Sequence, residues 1–415
     1  MTRTGRQSSS LTRRTRVGLW GVFGHGNYGN EATLAAVLAR LDPTVFNPLL
    51  LTINPAEASS LHGVPAKSVG APAYAGSGSR FSRVLRTLGN RLRYLVGAVR
   101  TAQQMDSIVI VGTGGLERTG AFGTPFEIWS LAVASRIFRR SFVLLNIGVD
   151  APRDRISRFF IRTSGRFATY RSYRDTPSRN NMAGAGLSQA ASDPVVTDLA
   201  FDVRPPRSAT RDASEIVVGV MDYQGPDSAD HSARTAYNNQ LRALISALLV
   251  QNRIVTIVSG DDADLEVAHA LASHFSPGRV SVSTAKTSDQ LVQALSHAGA
   301  VIATRYHTLI FALMAGTPVV SIGYSTKHRA MLDQLDLPAP HSDASTFDPS
   351  IVASQARFLA SETDALRTRI DSGVDNARLR LSHQWPELLT HIGHPGVADT
   401  SSTEQGTDRS SLAHE

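Results

Sequence analysis

The chain has 415 residues, 42% of them hydrophobic and 19% charged, an ordinary globular composition spread over more sequence than one core usually fills. It contains no cysteine, which excludes disulfides, thiolate zinc sites and a cysteine nucleophile. The net charge of +7 owes much to five arginines, opposed by no acid, within the first sixteen residues.

Residues 1–15 read as a disordered basic tail. Such a tail suggests nucleic acid or anionic lipid, but a solvated tail explains it as well, and no nucleic-acid partner is expected. No stretch approaches the ~18 apolar residues of a membrane-spanning helix. Val17 to Phe23 is short, broken by glycine and without a cleavage site, so it reads as a buried strand rather than a secretory signal. The chain is therefore expected in the cytoplasm. Gly24, Gly26 and Gly29 follow in a Gly-x-Gly-x-x-Gly turn, and Leu34, Val37, Leu38 and Leu41 recur at helical spacing from Glu31 onward. Strand, glycine turn and helix N-terminus together form an anion cradle. Polar Asn27, Asn30 and Glu31, and the lack of a strand-ending acid downstream, argue against a dinucleotide site. A turn that needs glycine for backbone reasons alone is the plainer alternative.

Asn47 to Asn54 reads as a strand, followed by a loop rich in Ala, Gly, Pro and Ser up to Ser79. Arg80 to Arg100 carries Phe81, Val84, Leu85, Leu88, Leu92, Leu95, Val96 and Val99 at helical period, with six arginines and no acid. Such a helix either lies on an anionic membrane or turns a solvated face outward. Ser107 to Val111 is a strand entering a second glycine loop, Gly112-Thr-Gly-Gly115; a helix to Ile137 and a strand from Ser141 to Gly148 follow. Arg174, Asp175 and Ser178 stand at the mouth of a further strand, and Val195 to Phe201, with Asp198, closes this half. Alternation of this kind predicts a parallel, doubly wound α/β sheet. The first domain is expected over 16–204, a linker around Pro205-Pro206 over 205–214, a second domain over 215–392, and a polar disordered tail over 393–415.

The second half repeats the pattern. Strands are expected at Ile216–Met221, Ile254–Ser259 and Val280–Val282, and helices at Thr235–Gln251, Asp262–Ser273 and Ser288–Ala298. Ala300 to Lys327 then reads as strand, helix and strand, with Arg305 and His307 just past the first strand's carboxyl end. In open α/β sheets ligands bind in that crevice. Pro349 to Leu389 reads as C-terminal helices of the second domain.

Four pieces in this order resemble the polysaccharide pyruvyl transferase family: Gly24-x-Gly-Asn-Tyr-Gly-Asn-Glu31; Gly112-Thr-Gly-Gly115; Arg174-Asp-x-x-Ser178 with Asp198; and Thr304-Arg-Tyr-His307 with Gly316-Thr-Pro-Val-Val320 and Tyr324-x-x-Lys327. The resemblance covers roughly Val17 to Leu337. It implies two Rossmann-like domains arranged as in GT-B glycosyltransferases, with the active site in the interdomain cleft. The implied reaction moves pyruvate from phosphoenolpyruvate, a donor substrate, onto two hydroxyls of a sugar as a cyclic ketal. The family's donor-binding positions match Arg174, Arg305 and His307. Asn30 stands where members usually carry Asp, and Ala298-Gly299 replaces a common acidic residue.

Phosphoenolpyruvate carries phosphate and carboxylate on a small frame, and arginine's planar fork suits both. Arg174, Arg305, His307 and Lys327 are the expected donor-binding side chains, with the loops at Gly26, Asn27, Gly29, Gly114 and Gly115. The reaction needs an acid and a base, for which His307, Glu31 and Asp198 are the candidates. Plainer roles are a surface ion pair for Arg305, a satisfied loop histidine for His307, a helix cap for Asp198 and an ordinary surface lysine for Lys327. No metal-ligand spacing is evident, and no metal or cofactor is expected. The acceptor is expected to be a glycan, free or lipid-linked, met at the inner membrane face. One rival is a nucleotide-sugar glycosyltransferase of the same fold, but Thr308 to Ala315 lacks the acid that would hold a ribose. The other is a non-catalytic glycan-assembly protein.

Overall fold

The computed structural model describes residues 13–70, 80–112, 114, 116, 123–152, 154–208, 210–225, 231–361 and 364–393. Gly115, the tail before residue 13 and the tail after residue 393 lie outside them. The N-terminal half runs β1 (Thr15–Trp20), α1 (Tyr28–Arg40), β2 (Phe46–Leu51), α2 (Pro55–His62), β3 (Ala66–Lys67), α3 (Arg80–Gln104), β4 (Ser107–Val111), α4 (Thr124–Ile137), β5 (Ser141–Ile147), α5 (Arg155–Phe167), β6 (Tyr170–Tyr173) and α6 (Thr176–Gly184). The C-terminal half runs β7 (Asp212–Val220), α7 (His231–Val250), β8 (Ile254–Ser259), α8 (Leu265–Ala272), β9 (Val280–Val282), α9 (Ser288–His297), β10 (Ala298–Ala303), α10 (Tyr306–Met314), β11 (Val319–Gly323), α11 (Thr326–Gln334), β12 (His341–Asp343), α12 (Pro349–Ser361) and α13 (Asp364–Gly393).

Each half forms a six-stranded parallel sheet, ordered β3-β2-β1-β4-β5-β6 and β12-β11-β10-β7-β8-β9. The two orders are equivalent: in each, the chain builds outward from one central strand, then returns to build the other side. The direction reverses between β1 and β4 and between β7 and β10, and open sheets hold ligands at such points. Continuous burial of β4, β5, β10 and β11 accounts for their unbroken apolar sequences.

Three departures from the sequence reading have local causes. Helix α1 begins at Tyr28, before Glu31, because Asn27 caps it by accepting from the Asn30 N–H at 3.1 Å. Gly29 is thus helical. The loop expected before Ser79 contains α2, which starts on Pro55 and buries little besides Ala58, so it shows no periodicity to read. Helix α13 extends to Gly393 and crosses back over the first sheet. There Gln384 Nε2 donates to Asn146 Oδ1 and Ser172 Oγ, each at 2.6 Å, and Trp385 Nε1 donates to Asp202 Oδ2 at 3.0 Å.

One apolar core lies between the first sheet and α3, α4 and α5, and another between the second sheet and α7 and α12. The third is shared by both halves: α1, α9, α10 and α13 meet there through Leu34, Leu295, Phe311 and Leu388. Helix α10 is apolar all round and buried along its length except at His307. Its Leu309, Ile310, Phe311 and Leu313 are fully buried, each contributing roughly 1.5–3 kcal/mol relative to exposure. That burial fixes the orientation of the helix's first turn, which faces the cleft.

Candidate active site

Each side chain of the site follows a strand's carboxyl end. Asn27 and Asn30 come from the β1–α1 turn, Gly114 from the loop after β4, Arg174 from the end of β6, and Gly260 from the end of β8. Arg305, Tyr306 and His307 open α10, while Tyr324 and Lys327 open α11. Together they line a cavity of about 140 Å³. The N-termini of α1, α10 and α11 all meet it, presenting the positive ends of three helix dipoles. The pocket is built for an anion.

The two sheets are latched beside it. Asn27 Nδ2 donates to Asp261 Oδ2 at 2.8 Å, and the Tyr28 hydroxyl donates to Asp262 Oδ1 at 3.2 Å. The Tyr28 N–H donates to Gly260 O at 3.2 Å, and the Asp262 N–H to Gly26 O at 3.1 Å. Burial and the neighbouring Asp262 push the Tyr28 phenol up to about 12, so it stays a donor at any physiological pH.

Arg305 is gripped from behind. Its Nε and Nη2 donate to the two oxygens of buried Asp264, each at 2.7 Å, leaving Nη1 3.8 Å from Asp261. Burial works against the charge, but Asp264 and Asp261 outweigh it and hold the guanidinium protonated. The ion pair expected as the plain role of Arg305 and its place in the cavity are therefore not exclusive. Arg174 is 3% exposed; its Nε lies 3.3 Å from Asp175 and its guanidinium carbon 4.8 Å from the Tyr306 ring centre. Lys327 Nζ lies 5.2 Å from the Tyr306 and Tyr324 ring centres. Tyr306 thus stands between two cations from different halves of the chain.

His307 packs over Gly29, where an added Cβ would collide with the imidazole. Its Nε2 lies 3.8 Å from Asp198 Oδ2, and neither buried atom has a hydrogen-bond partner among the described residues. The other Asp198 oxygen accepts from the Ala200 N–H at 3.0 Å, capping a short 3-10 turn. Asp198 therefore both caps and faces the histidine. Burial alone would push its carboxyl up; the His307 ring and Arg174 hold it below the ordinary carboxylate range.

Glu31, expected as an acid or base, does not line the cavity. Its Oε1 accepts from the Gly24 N–H at 2.9 Å and its Oε2 lies 2.7 Å from His62 Nε2, so it braces the turn from behind. Gly26 and Gly29 also stand outside the lining. Gly26 and Gly24 supply backbone angles of φ +73°, and Gly26 and Gly29 allow close approach to Asp262 and His307. In this turn the asparagines, not the glycines, meet the cavity.

Sequence reasoning missed Tyr306, Gly260 and His328. Tyr306 lies inside the Arg-x-His motif, but its spacing marks it only as a buried helical residue. His328 is fully buried, with Nε2 3.0 Å from Thr304 O and Nδ1 3.2 Å from Ser325 O. Burial and adjacent Lys327 push its imidazole down to about 3, so it is a neutral tie between the loops after β10 and β11.

The model of the family described as polysaccharide pyruvyl transferase matches residues 27–326, from Asn27 at the end of the β1–α1 turn through Arg174, Asp198, Arg305 and His307 to the start of α11. The chain belongs to the polysaccharide pyruvyl transferase family. No curated protein matches it. Solved structures share its fold at low identity. UDP-GlcNAc 2-epimerase from Methanocaldococcus jannaschii is 8% identical with a TM-score of 0.56, covering 90% of this chain and 100% of that one. The enzyme of the same name from Neisseria meningitidis is 11% identical, TM-score 0.56, covering 90% and 100%. The glycosyltransferase SnogD from Streptomyces nogalater is 18% identical, TM-score 0.53, covering 92% and 100%. This member of the pyruvyl transferase family is thus a two-domain, Rossmann-like α/β protein of GT-B type.

Proposed function

We propose that this protein transfers pyruvate from phosphoenolpyruvate onto two hydroxyls of a glycan sugar, forming a cyclic ketal. The observation that carries the reading is the convergence of Arg174, Arg305, Lys327 and three helix N-termini on a cavity of about 140 Å³. An engineered cavity of roughly 150 Å³ takes benzene; this one suits a compact anion better than a nucleotide. Arg174 and Arg305 lie on different halves, so a donor bearing both phosphate and carboxylate has a cation for each end.

In the proposed reaction a sugar hydroxyl adds to C2 of phosphoenolpyruvate while a proton reaches the C3 methylene, which becomes a methyl group. The C2–O bond to phosphate then breaks, and the second hydroxyl closes the ketal as its proton leaves with phosphate. His307 is the proposed proton carrier, with Asp198 orienting the ring and stabilising its charged form. Glu31 holds the β1–α1 turn. Asn30 lines the cavity as a neutral donor and acceptor. The acceptor is a glycan, free or lipid-linked, and the reaction needs no cofactor. A nucleotide-sugar donor is disfavoured because α10 offers no carboxylate for a ribose.

Incubation with phosphoenolpyruvate and a panel of glycans, read by phosphate release and mass gain of the sugar, tests the proposal. His307→Gln is expected to lower kcat by about 10²–10⁴-fold, the usual contribution of a positioned acid or base. Release of a nucleoside diphosphate from a sugar nucleotide, with phosphoenolpyruvate untouched, would overturn the reading.

A further inference from the structure

The outer surface of α3 and α5 fits neither half's core. On α3, Leu88, Leu92, Val96 and Val99 are 61%, 64%, 43% and 37% exposed. Their spacing of four, four and three residues makes one stripe along the helix. Tyr94, Ala98 and Ala102 hold the opposite side against the sheet. On α5, two helices along the same layer, Ile156 and Phe159 are 47% and 45% exposed. Arginines accompany both sets: Arg93 and Arg100 on α3, and Arg155, Arg158, Arg162 and Arg166 on α5, are exposed. The acids of these helices and of α4 between them are few. Glu127 is buried, and Asp154 is spent capping α5 through the Ile156 and Ser157 N–H groups.

We propose that this face docks on an anionic lipid bilayer. Apolar side chains and arginines on one helix surface match the boundary between acyl chains and acidic headgroups. A second copy of the chain fits poorly, because a symmetric contact would set the exposed Arg93 and Arg100 of α3 and the four exposed arginines of α5 against the same set, with no exposed acid on these helices beyond Asp154 to offset them. Nucleic acid would use the arginines but leave the apolar stripe in water. The placement also serves the cleft. Helix α3 enters β4 and α5 leaves β5, so both run antiparallel to the strands, and their N-terminal ends lie at the sheet edge that carries the site. Docking there sets the cavity beside the membrane surface, within reach of a lipid-linked saccharide. The docking itself does not depend on the identity of the donor.

The test is co-flotation of the full chain with vesicles of phosphatidylcholine and phosphatidylglycerol in equal parts, against vesicles of phosphatidylcholine alone. Flotation with the anionic vesicles that falls as salt is raised is expected, since a Debye length shrinks from about 10 Å at 0.1 M to about 3 Å at 1 M. Arg93→Glu with Arg100→Glu, and separately Leu88→Ser with Leu92→Ser, each change exposed positions and are expected to weaken binding about tenfold or more. Equal flotation with both vesicle types, no flotation at all, or tight binding to an RNA that the leucine changes leave intact would overturn the proposal. So would self-association that those leucine changes abolish. The lipid and salt series on the unaltered protein decides the matter even where a variant misfolds.

Discussion

Glu127 lies in the first turn of α4, 8% exposed, with Arg91 Nη1 at 3.9 Å. Burial pushes its carboxyl from an ordinary 4.5 up to about 7, and the distant Arg91 only partly opposes this. The native state therefore keeps a proton that the unfolded chain releases. Stability is favoured by this group at low pH, falls as pH rises from about 4.5 to about 7, and is level above. Glu127→Gln removes the titration. Its unfolding free energy relative to the parent is expected to rise by about 2–3 kcal/mol between pH 5 and pH 8, measured by urea denaturation. A difference that stays constant with pH would mean that Glu127 is ionised in the folded protein. The sequence gives no hint of this residue, because a lone Glu in an apolar helix has the same letter whether solvated or buried. Arg174, Arg305, His307 and Lys327 were legible because each follows a strand end. Tyr306 was not, since its role depends on cations that arrive from both halves.

At the scale of elements, periodicity finds helices but not the surface each covers. The helical reading of Pro349 to Leu389 says nothing of α13 crossing to the other sheet, because that crossing rests on pairings between residues 183 to 238 positions apart. Trp385 is the anchor, 4% exposed, with Arg40 stacked at 5.8 Å and Asp202 accepting from its indole N–H. Trp385→Ala is expected to cost about 3–5 kcal/mol in urea denaturation, a cavity together with the loss of one hydrogen bond to Asp202, whose carboxylate keeps its pairing with Arg40. Pro386, next to it inside the helix, already removes one backbone hydrogen bond, so the crossing relies on these side chains. A loss under about 1 kcal/mol would show that α13 holds to the first sheet by its apolar residues alone.

For the whole molecule, the alternation of strands and helices was enough to read two doubly wound sheets, but not how they meet. Besides the shared core, they meet at the Gly26–Tyr28 turn against Gly260–Asp262, immediately beside the cavity. No periodicity encodes that contact; it depends on a glycine that leaves room for a carboxylate of the other half. An added Cβ on Gly26 would overlap the Asp262 side chain, and its φ of +73° disfavours any branched residue. Gly26→Val should therefore force the halves apart at the site while both sheets remain folded. Backbone strain alone must be separated from this. Gly63 serves, because its φ is +65° and an added Cβ meets nothing within 4 Å. Both variants are expected to lose a few kcal/mol or less of stability from strain. Phosphoenolpyruvate affinity, measured by calorimetry, is expected to fall at least tenfold in Gly26→Val, about 1.4 kcal/mol, and to stay unchanged in Gly63→Val. Equal binding by the two variants would show that the cavity forms within one half and that the latch is dispensable to it.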